Sequence, residues 1–430
     1  MAVSPASNRS HLRFVSHYLQ RHKHTNYSLG EWRRYEDGAW KSLADLAVRK
    51  ECLAVCAKHA NGLPVTNALV GSVYGMVQAH VFLPDDTFDS NIDLITFADK
   101  TLVVSTGEIR AHSPSDYVTS KLPFSYDPEA RSAAWDRVLT ATDADNVPFL
   151  QEFSGYSLTP STAHEIGIWS WGEPGSAKST FIAGLETMLG PRCCTLGLAE
   201  IDRSPFALSQ LPGKTLAIST EQPSTYVRCF YTLNTLISGE SIKWEQKHIA
   251  AETRRFHVKL LWAMNELPRI DNAGVGLFRR IVPLPWNKID NPDPEVKEEV
   301  LRSGQAIFNW AYEGLQRLNA RGRFDIPAAL LAEREAYRVQ NDIPLAFISD
   351  TFERVEIVDD QGYYVKVWAT ELYDLYRKWC NQTSHKPFSS IAFAKEMRRL
   401  GVEKTVMDGR TFYLGLKSRP EISNEIEVEM

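Results

Sequence analysis

Lys178-Ser179-Thr180 stands directly behind a short loop, Gly172-Glu173-Pro174-Gly175-Ser176-Ala177. These residue types in this order can cradle the phosphates of a nucleotide. Backbone N–H groups at a helix N-terminus point at anionic oxygens, and the helix dipole favours negative charge there. A lysine in this place reaches the β- and γ-phosphates, and the hydroxyl after it, Ser179, ligates Mg2+. The geometry works only if a buried strand delivers the loop and a helix continues it. Both patterns are present: an apolar run (Ile166, Ile168, Trp169, Trp171) before it, and apolar residues at helical spacing (Phe181, Ile182, Leu185, Met188, Leu189) after it. A glycine is usual before the lysine, and Ala177 stands there instead. The chemistry expected of this segment is hydrolysis of a nucleotide, with ATP and Mg2+ as ligands.

Hydrolysis needs an acid to orient water, a polar group near the γ-phosphate and positive charge for the transition state. The apolar run Lys214–Ser219 ends at Thr220-Glu221, which offers the acid and a second candidate Mg2+ ligand; the duller reading is a solvated glutamate at a strand end. Mg2+ prefers few protein ligands, so Ser179, phosphates and waters would suffice beside it. The run Val258–Met264 ends at Asn265, whose amide can bond both a phosphate oxygen and water. A turn asparagine is the alternative, since Pro268 follows. Arg279-Arg280, ahead of another apolar run, can donate bidentate bonds to a phosphoryl group in a neighbouring subunit, or be surface charge.

Four apolar runs, near 165–171, 215–220, 258–264 and 280–284, separated by helical stretches, predict a mainly parallel sheet with helices on its faces. Upstream, the pattern predicts helices at 12–19, 48–59, 65–78 and 133–139, hairpins at Tyr27–Trp40 and Leu94–Ile109, and an amphipathic helix at Val147–Tyr156. Helices follow over 300–345. Beyond them come two helices (370–380 and 389–400) and a strand pair turning at Asp408-Gly409, a sequence that fits a winged helix. The acidic end, 421–430, reads as a tail.

The chain has 430 residues, 43% of them hydrophobic and 23% charged, enough for several core-forming domains. A net charge of -5 gives no global attraction to nucleic acid, so DNA contacts must come from a local basic face or from converging subunits. The six cysteines form no CxxC pair and indicate reduced thiols rather than a zinc site or disulfides. No apolar run reaches the ~18 residues of a membrane span, so no membrane partner and a cytoplasmic location, in a bacterium or host cell, are expected.

Lys178, Glu221, Asn265 and Arg280, in this order, resemble the superfamily 3 helicases, and most nearly their phage-P4/poxvirus-D5-like group. The resemblance rests on the loop ending Lys178-Ser-Thr-Phe, the strand ending in Glu221, Leu236-Ile-Ser-Gly-Glu-Ser-Ile, Asn265-Glu-Leu-Pro-Arg, and Phe278-Arg-Arg before an apolar strand. It extends upstream through Thr106–Thr119 and Leu122–Ala130, so it covers roughly residues 90–290. The group commonly has Asn-Gly before the lysine, where this chain has Ser176-Ala177, and a lysine where it has Asn234. The resemblance implies an AAA+-type P-loop ATPase core with a mixed α+β N-terminal domain and a C-terminal winged-helix domain. The expected division is 1–150 for the D5-like N-terminal domain and 151–298 for the ATPase core. A helical linker or lid over 299–345, a winged-helix-like domain over 346–420 and the tail complete it. It further implies a homo-oligomeric ring, a hexamer, with ATP between subunits and Arg279 or Arg280 supplied by the neighbour. A hairpin carrying Lys243, Lys247 and His248 would grip single-stranded DNA in the channel and unwind forked DNA during replication. No primase motif is present, so a separate primase or polymerase would act beside it. Two readings compete: an ATP-binding replication initiator that assembles on DNA with weak or no unwinding, and a ring without hydrolysis.

Overall fold

The computed structural model describes residues 5–84, 86–222, 230–245, 251–270, 275–290, 293–383 and 385–419. Contacts divide these residues into two compact units. One holds the chain up to Pro327 except Phe230 and Pro268–Arg279, and the other holds Phe230 and Pro268–Arg279 together with the chain from Ala328 on.

The first unit is built on a five-stranded sheet. In spatial order its strands are Ile281–Pro285, Gly167–Trp171, Lys259–Met264, Leu216–Ser219 and Cys193–Thr195, and every pair is parallel. Parallel strands are covered on both faces and so read as continuous apolar runs. All six residues of Lys259–Met264 are buried. The four strands legible in the sequence are present, and Cys193–Thr195 adds an unforeseen fifth at the edge. From Gly167–Trp171 the chain leaves for one edge of the sheet, and from Lys259–Met264 it leaves for the other. Such a reversal opens a crevice at the carboxyl ends of the two adjacent strands.

Helix Lys178–Leu189 packs on this sheet, its Phe181 ring stacked on Trp135 with centroids 5.2 Å apart. Helix Val147–Tyr156, expected to be amphipathic, is buried almost all round, including Glu152. It is covered by helix Gly304–Arg321, which comes so close that a Cβ on Gly314 would lie 2.3 Å from the Gln151 carbonyl oxygen. The Glu152 carboxylate survives burial because Arg317 (2.8 Å) and Arg321 both bond it. Of the helices expected over 300–345, Gly304–Arg321 lies in the first unit and Ala328–Asn341 in the second.

Upstream, helices Pro5–Arg21, Asp45–His59 and Asn67–His80 enclose a core of Phe14, Tyr18, Trp32, Cys52, Val73 and Val77. The hairpin expected at Tyr27–Trp40 is a three-stranded meander, Thr25–Ser28, Glu31–Glu36 and Ala39–Leu43. Its foreseen turn at Asp37-Gly38 is joined by a second at Leu29-Gly30, where both residues also take positive φ. The Leu94–Ile109 stretch likewise forms three short strands.

In the second unit, helices Ile343–Thr351, Ala369–Gln382 and Ser390–Arg399 pack Phe347, Leu372, Tyr376, Phe393 and Met397 into a core. A three-stranded antiparallel sheet adjoins them, in the order Lys366–Trp368, Arg410–Leu414, Lys404–Met407. Among the described residues no helix is long and apolar enough to cross a membrane.

Candidate active site

The loop from Gly172 to Ala177 leaves the carboxyl end of its strand and turns sharply into the helix. Gly172 has φ +145°, and a Cβ there would lie 2.3 Å from the Trp286 carbonyl oxygen, so only glycine fits. The segment after Ile281–Pro285 braces the loop from that side. Trp286 donates its N–H to the Trp171 carbonyl (2.8 Å) and Ile289 to the Gly175 carbonyl (3.2 Å). Nothing in the sequence announced this brace, beyond the fact that it follows a strand ending on the same edge. Ala177 adopts the left-handed conformation, φ +57° and ψ +5°. The loop therefore keeps the bend that a glycine would make freely, at a cost of about 1 kcal/mol for the alanine.

Lys178 is buried to 7% exposure. Its Nζ donates to the carbonyls of Gly172 (2.6 Å) and Glu173 (2.9 Å) and to Ser176 Oγ (2.8 Å). Burial pulls its pKa below the ordinary lysine value. Ser176 is itself buried and bonds the Glu173 carbonyl at 2.8 Å. Ser179 is exposed, Thr180 half-buried, and Pro174 and Gly175 exposed. The first turn of the helix contains no acid to offset the positive end of its dipole. A lysine set among loop oxygens beneath an open helix N-terminus fits a polyphosphate anion.

Strand register fixes where the other candidates fall. Trp169, Trp262 and Ser219 lie on one rung across three adjacent strands. Gly172 and Asn265 each come three residues after that rung, and Glu221 two. The three strand ends therefore present the loop, the amide and the carboxylate side by side, with about 5 Å between neighbouring strands. Asn265 and Glu221 are both exposed. The Glu221 main chain is pinned from both flanks: Ser219 Oγ bonds its carbonyl (3.2 Å), and Gln222 donates its N–H to the Ala263 carbonyl (3.2 Å). Gln222, passed over in the sequence, is buried and accepts the Leu198 N–H at 3.0 Å. Its only sequence signal is its place beside Glu221.

The arginines lie elsewhere. Ile281 pairs with Gly167, so Arg280 enters at the amino end of the sheet, about 20 Å along the strands from the loop. Arg280 is buried and forms an ion pair with Glu165 at 2.6 Å. Arg279 is exposed.

Lys243 is exposed on strand Ile242–Trp244, which pairs with Glu252–Arg254 to make the two legs of a hairpin. Trp244 anchors the hairpin by burial, a bond from its Nε1 to the Leu208 carbonyl (3.1 Å), and the Arg254 guanidinium 3.7 Å above its ring. Arg254 also reaches the Leu29 carbonyl (3.2 Å). Lys243 pairs with Glu245 at 2.5 Å. Lys247 and His248 lie outside the described residues.

This is an α/β protein with a P-loop-like core. Residues 11–143 match the family described as D5 N terminal like, and residues 171–280 match a family of unknown function, DUF5906. No curated protein matches the chain. The fold is similar to solved structures of the NrS-1 C-terminal region. The apo structure of residues 305–718 has a TM-score of 0.54 and 11% identity, covering 95% of this chain and 99% of that one. An A form apo structure has a TM-score of 0.51 and 12% identity, covering 93% and 97%. At such identity the likeness speaks for the fold. The match over 11–143 ties that part of the chain to a D5 N-terminal-like family, and the solved structures speak for the shared fold alone.

Proposed function

We propose that the chain is an ATP-dependent DNA helicase of the superfamily 3 type, from a phage, plasmid or mobile element. One observation carries the reading: Lys178 in its loop, Asn265 and Glu221 end three adjacent parallel strands on one edge of the sheet. ATP would sit on the loop and the helix N-terminus, with Ser179 and Glu221 holding Mg2+. Glu221 would orient the attacking water, and Asn265 would hold the γ-phosphate and that water. In a ring, hexameric as the family resemblance implies, a neighbour's arginine would complete the site. Of the two, Arg280 is buried and Arg279 is exposed, so Arg279 is the better placed finger. Lys243, Lys247 and His248 would contact single-stranded DNA from the anchored hairpin, and the second unit would act as a winged-helix-like domain. A cytoplasmic setting and a separate primase or polymerase follow from the same reading.

Strand displacement on a forked substrate, compared for wild type, Lys178→Ala and Lys247→Ala, tests this. Unwinding should disappear in both variants, and ATP turnover only in the first. Specific duplex binding with no displacement would favour an initiator that assembles on DNA. Absence of any hydrolysis by the wild type would favour an inactive ring.

A further inference from the structure

The small sheet of the second unit has two unlike faces. Val367 and Tyr413 turn into the core. Alternation along the strands puts Lys366 and Trp368 on the other face, opposite Leu414 and Phe412 of the neighbouring strand. Tyr364 precedes Lys366 by two residues on the same extended path, which continues to pair through the bond from the Gly415 N–H to the Val365 carbonyl (2.9 Å). Tyr364 is 52% exposed and Trp368 39%. Neither they nor Phe412 belong to the hydrophobic core of this unit. Two cations lie over the rings: Lys366 Nζ is 4.9 Å from the Phe412 centroid, and the Arg410 guanidinium is 5.2 Å from the Trp368 centroid. Among the described residues neither cation is ion-paired with a carboxylate. Over residues 351–419 twelve lysines and arginines stand against nine aspartates and glutamates, the reverse of the whole-chain balance.

We propose that this face is a single-stranded DNA-binding platform, separate from the hairpin of the first unit. Tyr364 and Trp368, four residues and about 13 Å apart along one strand, with Phe412 across from Trp368, offer rings on which unpaired bases can stack. The uncompensated Lys366 and Arg410 suit the phosphates between those bases. A duplex seals its base faces and could use only the cations. A protein partner would gain from the rings but would need an acidic surface to match the two charges.

The test uses the full chain with Lys247→Ala as background, so that binding at the hairpin does not mask the face. Fluorescence anisotropy would follow a labelled oligothymidylate of about twenty nucleotides and a duplex of the same length. Tyr364→Ala with Trp368→Ala should weaken single-strand binding roughly tenfold and leave duplex binding unchanged. Lys366→Ala with Arg410→Ala should weaken it and lower its salt slope by about one to two. Trp368→Phe should retain most of the affinity. If the ring pair disturbs folding, seen as a lowered Tm, the cation pair and Trp368→Phe decide. Single-strand affinity unchanged in both double variants would overturn the proposal, whether the face is then idle or docks a protein. An equal loss for single strand and duplex would overturn it too. ATP turnover of each double variant should equal that of the Lys247→Ala background, so failure here leaves the nucleotide-site reading standing.

Discussion

The two ends of the parallel sheet treat charge in opposite ways. At the amino end a basic residue stands at the start of three strands: Arg192 before Cys193–Thr195, Lys259 as the first residue of the central strand, and Arg280 before Ile281–Pro285. All three are buried. Lys259 donates to the carbonyls of Thr159 and Ser161 and lies 4.7 Å from the Tyr156 ring. Arg280 is held by Glu165. Asp89 counters Arg192 electrostatically. At the carboxyl end Glu221 and Asn265 face solvent, and among the described residues Lys178 is held by the oxygens of its own loop. Charge at one end is committed to the fold. Charge at the other is left for a ligand.

Substitutions at the two ends should therefore fail in different assays. The largest effect is expected at the ligand end, where Lys178→Ala should lower ATP turnover by about 10²–10³ while the denaturation midpoint stays put. Arg279→Ala should lower turnover comparably, but only in the assembled protein, because a finger works in trans. Phosphate release measured across a range of protein concentrations separates these two. Arg280→Ala should do the reverse. It strands the half-exposed Glu165 carboxylate and should cost about 2 kcal/mol in urea unfolding. An Arg280 variant of unchanged stability and collapsed turnover would erase the distinction.

Lys259 sharpens the comparison through pH. Burial and the nearby Arg192 hold its pKa well below the usual 10.5. Between that depressed value and 10.5 the unfolded chain binds more protons than the folded one, so stability rises with pH across this window. Below the folded pKa that gain is absent. Lys259→Met should remove up to about 1.4 kcal/mol per pH unit of this rise. The difference between wild type and variant, measured by denaturant unfolding near neutral pH and at about pH 9.5, isolates it from the titration of tyrosines. The smallest effect is expected at Ala177. Gly should relieve the left-handed alanine and add about 1 kcal/mol without loss of nucleotide affinity. A loss would mean that the methyl group helps shape the loop.

This contrast could not be read from the sequence. Arg280 looked like a candidate finger because it precedes an apolar run, but its partner Glu165 lies 115 residues away and carries no motif. The loop, the four longer strands and the Glu221 and Asn265 positions were legible because buried parallel strands write continuous apolar runs and end in polar residues. Cys193–Thr195 escaped because three residues give no period and the short turn Gly190–Arg192 leads straight into it. The burial of Val147–Tyr156 escaped because Glu152 looks solvent-facing until Arg317 and Arg321 are brought to it. In the second unit the helices and the final turn were legible. The aromatic face was not, because Lys366–Trp368 is brief and its rings acquire their neighbours only through pairing with Arg410–Leu414.

Strand Ile281–Pro285 forms one edge of the large sheet and carries Pro283 and Pro285. The bond from the Trp286 N–H to the Trp171 carbonyl sets the alternation, so both prolines occupy positions whose backbone nitrogens face away from the sheet. A newcomer strand would find acceptors there but too few donors to zip against. That border is therefore closed to β-augmentation.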